Sequence, residues 1–281
     1  MKKILRLTII AICTGIIIPC NLYSADITAG ATAWYAWGGR SENLQEDISD
    51  NKRSKSYSFD PTLLCGPALS VKFSNSFNLT FVYLYGKFNF NEGDIGDEHP
   101  ELHYSFSAKS KAKRSDSDLA LNYRLNDYFK VFAGIKYMAY ETNLSYDISY
   151  TDGHKDHCYN HAKHTSIGPG LGVSSTLPLT DNIFLLTTLS GFYLFSSGEK
   201  FQDYKIYNNY DVDYNIAYNE YGINTTISVA YYITQLSTVI SLGGRFQYFV
   251  INYAKYEDFL INSIANKIYG ITLTATYSFS F

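Results

Sequence analysis

The chain has 281 residues, of which 46% are hydrophobic and 17% charged, and its formal net charge is -3. This length fits one large domain or two small ones. A net charge so close to zero excludes a protein that binds nucleic acid through a broadly basic surface. Aromatic residues make up 17% of the chain and include 27 Tyr, a side chain suited to the boundary between an apolar medium and water.

The N-terminus predicts a secretory signal peptide over residues 1–24. A basic start, MKKILR, precedes the apolar stretch LTIIAICTGIII, and Ser24 supplies a small residue for cleavage. Cys20 follows Pro19 rather than a small residue, which disfavours lipid attachment there. The apolar stretch is also short for a membrane-spanning helix. The mature chain is therefore expected to be a single domain over residues 25–281.

After the signal, apolar residues alternate with small or polar ones along successive segments. In TVISLGGRFQYFV, for example, Leu242 and Phe246 share the face opposite Arg245. A period of two is typical of β-strands whose two faces meet different media. No apolar run beyond residue 25 is long enough for a helix to cross a membrane.

The joints between these segments alternate between short and long. Tight turns rich in turn-forming residues are predicted at Asn75-Ser76, Asn126-Asp127, Thr180-Asp181-Asn182 and Thr234-Gln235. Longer polar connections are predicted over residues 39–57, 91–114, 150–165, 197–217 and 251–265. This alternation predicts about ten strands, with both chain ends on the side of the short turns.

These features predict an all-β fold, a single antiparallel up-and-down transmembrane barrel with short periplasmic turns and long extracellular loops. Each segment is long enough to cross the apolar band, which takes roughly 9–11 tilted residues. The sheet is expected to close, because an open strand edge in lipid leaves backbone groups unpaired. The alternative is a soluble secreted β-sandwich, but the face opposite the apolar one holds Gly, Ser, Thr and Asn, which suit a narrow barrel interior.

The last strand, ITLTATYSFSF, carries aromatic residues at alternate positions: Tyr277, Phe279 and Phe281. This ending resembles the C-terminal signature of Gram-negative outer-membrane β-barrel proteins, whose last strand ends in Phe. The resemblance implies location in the cell outer membrane, contact with its lipid bilayer, and recognition of the last strand by the barrel-assembly machinery. It implies no particular activity.

Charged residues on the predicted inward face are the first candidates for function. By parity they are Lys72, Asp118, Arg124, Lys130, Lys136, Glu220 and Arg245. Ten strands enclose little space, whereas water-filled porin channels need about 16. These charges are expected either to pair and plug the lumen, or to line a thin path that favours anions.

Histidines are the second candidates, because all six fall in two predicted loops. His99 and His103 lie in the first of these loops. The second holds His154, His157, Cys158, His161 and His164. Imidazole and thiolate ligate zinc, copper or nickel, so this loop is a candidate for surface metal binding; a solvated polar loop is the plainer interpretation.

Two enzyme hypotheses are disfavoured. Omptin proteases, a family of ten-stranded barrels, carry an Asp pair earlier in the chain than an Asp–His pair. Here the Asp pair, Asp211 and Asp213, follows Asp97-x-His99 and Asp152-x-His154. Barrel phospholipases use a Ser–His pair within a strand, and the predicted strands contain no His.

The sequence therefore predicts a non-enzymatic, surface-exposed outer-membrane barrel without a cofactor. Its leading function is a porin-like role, with a narrow pore or solute transport. The alternative is an adhesin, or a barrel whose extracellular loops bind a ligand, small ions or a metal.

Overall fold

A computed structural model describes residues 26–45, 52–92, 104–150, 155–204, 210–253 and 261–279. Within these ranges, ten antiparallel strands form a closed barrel. The predicted fold class is confirmed, and a two-layer sandwich is excluded. The signal segment 1–24 and the terminal Phe281 lie outside the described residues.

The strands follow one another around the barrel in chain order. Their bounds are β1 Asp26–Gln45, β2 Lys52–Lys72, β3 Phe77–Glu92, β4 Tyr104–Arg124, β5 Phe129–Tyr150, β6 Lys155–Pro178, β7 Ile183–Tyr204, β8 Tyr210–Ile233, β9 Thr238–Tyr253 and β10 Ile261–Phe279. The barrel closes between β1 and β10, where Ile27 pairs with Phe279 and the ladder continues along both strands. The last strand thus seals the barrel against the first, as the alternation in both segments predicted.

The four predicted tight turns are confirmed between β2 and β3, β4 and β5, β6 and β7, and β8 and β9. In the second turn, Asn126 Oδ1 accepts hydrogen bonds from the backbone N–H groups of Tyr128 and Phe129, both at 2.9 Å. A short 3-10 turn, Thr234–Leu236, ends at Ser237, whose φ of 46° is left-handed. No helix in the described part of the chain has the length and apolar character needed to cross a membrane.

The predicted long connections are wrong in extent, because strands occupy much of them. Strand β4 begins at Tyr104, and β6 begins at Lys155. Strands β6 and β8 are each 24 residues long, whereas crossing the membrane takes roughly 9–11 residues. In these outer segments the sequence no longer alternates regularly between apolar and polar residues, while backbone pairing continues. The hydropathy pattern therefore does not predict these extensions.

The outer wall carries a continuous belt of exposed apolar side chains. Leu171 is 65% exposed, Phe195 61% and Leu242 58%. Tyr277 and Phe279 belong to the same face. A soluble monomer does not expose apolar surface on this scale, so the belt is the surface that contacts lipid hydrocarbon.

The interior is more apolar than predicted. Trp34, Leu64 and Phe249 are almost fully buried, together with other inward aliphatic and aromatic side chains. Runs such as FYLF at 192–195 place apolar residues on both faces of a strand. Such continuous runs indicate a strand buried on both sides, and they are the sequence signal for this inner apolar packing.

Candidate functional site in the barrel lumen

Three strands bring charged and polar side chains to one level of the lumen. Strand β4 directs Arg114, Asp116 and Asp118 inward at alternate positions. Strand β5 contributes Lys136 from the adjacent wall, and β9 contributes Arg245 from across the barrel. We call these five residues and Gln247 of β9 the lumen cluster.

Arg114 bridges the lumen from one wall to the other. Its Nη2 donates to Asp116 Oδ2 at 2.8 Å and to Gln247 Oε1 at 2.5 Å. The guanidinium carbon lies 5.2 Å from the ring centre of Tyr140 and 5.7 Å from that of Phe249. These distances allow cation–π attraction, which strengthens when the cation is desolvated.

Asp116 is the shared anion of the lumen cluster. Its carboxylate lies 2.5 Å from Lys136 Nζ and 3.8 Å from Arg245 Nη2, besides the contact with Arg114. Lys136 also donates to Asp118 at 3.0 Å. Buried charges are stable only when they are paired, and here three cations are held by two neighbouring aspartates.

The lumen cluster fills the barrel at its level. Arg114 and Gln247 are 0% exposed, and Asp116 is 2% exposed. Trp34 of β1 packs against Arg245, whose guanidinium carbon lies 4.5 Å from the centre of the Trp34 ring. Side chains from opposite walls are therefore in direct contact, and they close the lumen.

A cavity lined by both polar and apolar side chains lies on the periplasmic side of the cluster. Its volume is about 330 Å³, and Lys136 and Asp118 are among its lining residues. Its polar lining also includes Thr80, Asn122, Ser174, Thr188 and Asn224, and Val82, Phe132 and Phe192 are among its apolar members. Small and hydroxylic residues leave this half of the lumen partly open, in contrast to the packed level above it.

Glu220 is a buried carboxylate outside the lumen cluster. Ser166 donates to its Oε1 at 2.6 Å, and Ser196 does so at 3.2 Å. Its Oε2 is buried and has no hydrogen-bond partner among the described residues. Serine hydroxyls, rather than a cation, therefore hold this carboxylate.

The predicted lumen charges are distributed along the barrel. Lys136, Glu220 and Arg245 are buried, Asp118 is partly exposed, and Lys130 is partly buried on β5. At the periplasmic rim, Lys72 pairs with Asp26 at 3.3 Å, and Arg124 pairs with Asp127 at 2.5 Å.

Arg114, Asp116 and Gln247 were missed as site residues. Arg114 fell in a predicted connection, although it and Asp116 share the parity of Asp118. Because residues at alternate positions of a strand share a face, the inward direction of Asp118 also predicts that Arg114 and Asp116 point into the lumen. Nothing in the local sequence indicates that Gln247 reaches Arg114.

The histidine-rich segment is not a loop, because β6 begins at Lys155 and includes His157, Cys158, His161 and His164. The expectation that no strand contains a His is therefore wrong. His154 lies outside the described residues.

His161 and His164 occupy opposite faces of β6. On the outer face, His161 Nδ1 lies 2.6 Å from Asn143 Oδ1. On the inner face, the His164 ring packs against Tyr140 at 4.6 Å and Tyr218 at 5.7 Å. These two imidazoles cannot share an ion, and among the described residues no group of three or more His, Cys, Asp or Glu is placed to hold a metal.

The structure places some of the residues on which the two enzyme hypotheses depend. Asp211 and Asp213 lie on β8, whereas Asp97, His99, Asp152 and His154 lie outside the described residues. On the inner face of β6, His164 and Ser166 are two positions apart. The Ser166 hydroxyl donates to Glu220 rather than to His164, and Ser166 is fully buried, which does not suit a nucleophile for lipid.

The closed barrel, its apolar belt and its polar rims define a transmembrane β-barrel of the outer-membrane class. The protein is located in the outer membrane, and the lipid bilayer is its partner along the belt.

The fold of one solved outer-membrane protein agrees with this class. The outer-membrane protease OmpT from Escherichia coli has a TM-score of 0.56 and 12% identity, over 90% of this chain and 97% of that one. The translocator domain of the autotransporter NalP from Neisseria meningitidis has a TM-score of 0.44 and 9% identity, over 99% and 96% of the two chains. The toluene transporter TodX from P. putida has a TM-score of 0.39 and 11% identity, over 92% and 90%.

At such low identity, the likeness to OmpT shows a shared fold and nothing about activity. No protein-family model matches the sequence, and no curated protein matches it.

Proposed function

We propose that this protein is a non-enzymatic surface barrel that is closed to solutes at rest and binds an extracellular ligand through the wall projecting beyond the outer leaflet. The observation that carries the proposal is the lumen cluster. Arg114 contacts Gln247 across the barrel, and both side chains are fully buried. A lumen closed by paired charges does not provide a resting path for water or ions.

The length of the strands supports a role outside the membrane. Strands β5 to β8 have 22 to 24 residues, roughly twice what the hydrocarbon requires. At about 3.3 Å per residue and a tilt near 45°, the excess projects roughly 25 Å beyond the apolar band. A paired sheet of this height offers a large surface for binding a ligand.

Conductance measurements test the closed state. The purified barrel is inserted into planar bilayers, and we expect no discrete current steps. Steady single-channel steps from the unaltered protein would overturn this part of the proposal. Correct folding is checked by the shift in gel mobility that intact barrels show on heating.

A surface-binding assay tests the role of the projecting wall. Bacteria displaying the barrel are compared with bacteria displaying a variant in which residues 200–214 are replaced by Asn-Gly, on surfaces coated with mucin, fibronectin or heparan sulfate. We expect retention on at least one surface and its loss in the shortened variant. Equal retention of both variants on all three surfaces would contradict the proposal.

A narrow pore that opens on rearrangement is the second candidate, favoured by the cavity that lies on the periplasmic side of the lumen cluster and includes Lys136 and Asp118 in its lining. It predicts that current steps appear under a strong applied voltage and vanish when an engineered crosslink between positions 114 and 247 joins β4 to β9 across the lumen. The surface barrel predicts no steps in either case.

A protease assay addresses the enzyme alternative. A random peptide library is incubated with the folded barrel and with an Asp211→Asn/Asp213→Asn variant. We expect no cleavage by either. Cleavage that disappears in the double variant would establish an enzyme.

A further inference from the structure

A row of basic side chains crosses the outer wall just above the apolar belt. Lys87 of β3 lies directly opposite Lys113 of β4, and Lys113 lies opposite Glu141 of β5. Glu141 in turn lies opposite Lys163 of β6. Lys111, one position further out on the same face of β4, completes the group that we call the basic row: Lys87, Lys111, Lys113 and Lys163.

Among the residues that the structure describes, acidic side chains neutralise the basic row only in part. Lys113 Nζ lies 3.0 Å from Glu141 Oε1, which forms an ion pair within the row. Lys87, Lys111 and Lys163 are exposed. Directly opposed side chains on a sheet have Cβ atoms about 5 Å apart, so Lys87 and Lys113 repel one another unless an anion lies between them.

The height of the row matches the boundary of the hydrocarbon. Lys113 and Tyr123 are ten positions apart on the outer face of β4, which at a tilt near 45° corresponds to roughly 25 Å, the height of the apolar band. Below the row the outer face carries Tyr85 and Tyr137. Aromatic rings of this kind lie at the level of lipid headgroups.

The row occupies one side of the barrel. On the opposite wall, the described outward lysine is Lys267, which lies 5.8 Å from the ring centre of Tyr269 and 6.0 Å from that of Phe246. Its charge is thus held over aromatic rings. The asymmetry distinguishes the basic row from a uniform ring of interfacial lysines.

We infer that the basic row is a binding site for phosphorylated headgroups of outer-leaflet lipid. The lipid chains would lie along the apolar belt of β3 to β6, and the phosphates would be placed between Lys87, Lys111 and Lys163. Each lysine near an anionic membrane surface contributes about 1 kcal/mol, or roughly fivefold in affinity. Three lysines therefore contribute on the order of a hundredfold.

The test uses the full mature barrel, refolded in zwitterionic detergent, with diphosphorylated lipid A as the probe. Native mass spectrometry counts the lipid molecules retained as the lipid concentration rises. The variant Lys87→Gln/Lys111→Gln/Lys163→Gln leaves the Lys113–Glu141 pair intact, and Lys267→Gln is the matched control. All four side chains are exposed, so the variants are expected to fold, and heat-modifiable gel mobility verifies this.

We expect the unaltered barrel and Lys267→Gln to retain the lipid equally. The triple variant should need roughly a hundredfold more lipid for half-saturation, and the dephosphorylated lipid should be retained poorly by all. Equal retention by the triple variant and the unaltered barrel would overturn the inference, as would an equal loss in Lys267→Gln. Binding of soluble heparin that depends on the row, without lipid retention, would also overturn it and assign the row to a soluble polyanion.

Discussion

Arg114 of β4 donates a hydrogen bond of 2.5 Å to Gln247 of β9, across a separation of 133 positions in the chain. The contact crosses the lumen, and both side chains are fully buried. It joins the two walls that also supply Asp116 and Arg245. Closure of the lumen at this level therefore depends on a few hydrogen bonds and ion pairs. Single substitutions can remove them one at a time.

Removal of the Arg114 charge should strongly destabilise the barrel. An Arg114→Met variant leaves Gln247 Oε1 without its donor and removes one cation from Asp116. Breaking a buried ion pair from one side costs about 3–5 kcal/mol. Urea unfolding in detergent micelles measures the loss.

A rim variant provides the matched control for Arg114. Lys72→Met removes the half-exposed pair with Asp26, and exposed pairs contribute about 0–1 kcal/mol. Equal losses in the two variants would contradict a special role for the lumen cluster. In planar bilayers, Arg114→Ala should show current steps that Lys72→Met lacks.

Two isosteric substitutions should distinguish the two buried carboxylates. Asp116→Asn removes the anion shared by Arg114, Lys136 and Arg245. Because these buried cations then lack a compensating charge, we expect the free energy of unfolding to fall by about 3 kcal/mol or more. Glu220→Gln keeps an acceptor for Ser166 and Ser196, so we expect a change of less than about 1 kcal/mol. Unfolding of both variants at the same pH gives the comparison, and a larger loss in Glu220→Gln would refute the assignment.

A glycine on β6 makes room for an aromatic ring in the lumen. A Cβ at Gly172 would lie 2.3 Å from Phe132 Cζ and 2.5 Å from the backbone oxygen of Leu189. A backbone atom cannot move aside as the end of a flexible side chain can. Gly172→Ala should therefore lower the free energy of unfolding by about 1–3 kcal/mol.

Gly191 on β7 is the control for this substitution. A Cβ there meets its nearest atom, the Gly222 oxygen, at 3.8 Å. Gly191→Ala should be neutral, or stabilising by about 0.4–1 kcal/mol through the unfolded chain. Melting temperatures in the same detergent report both changes, and equal effects would show that the contact with Phe132 does not matter.

The His164 ring contributes packing rather than a hydrogen bond through its Nε2. This atom is buried and has no hydrogen-bond partner among the described residues, while the ring packs between Tyr140 and Tyr218. His164→Phe keeps the packing and removes the buried polar atom, so stability should hold or rise by up to about 1 kcal/mol.

His164→Ala leaves a cavity between the two tyrosines and should cost roughly 2–4 kcal/mol. Chemical denaturation of the two variants separates the contributions. If His164→Phe lost as much stability as His164→Ala, the imidazole nitrogen would have an essential partner.

Local chemistry along the chain was sufficient to predict the barrel. The alternation of Leu242 and Phe246 against Arg245, the turn at Asn126-Asp127 and the aromatic Tyr277 and Phe279 each depend on neighbouring residues alone. Side-chain period and turn geometry are local properties of the backbone, which is why the strand number, the closure of β1 against β10 and the lipid-facing wall were all predictable.

The tertiary structure alone decided what the interior does. The placement of Arg114 beside Gln247, and of His161 and His164 on opposite faces of an extended β6, depends on how far pairing continues and on the stagger with which the strands close. Contacts across a lumen join residues that are distant in the chain, and no local pattern encodes which of them meet. The basic row arises in the same way, because the strand register brings its lysines together.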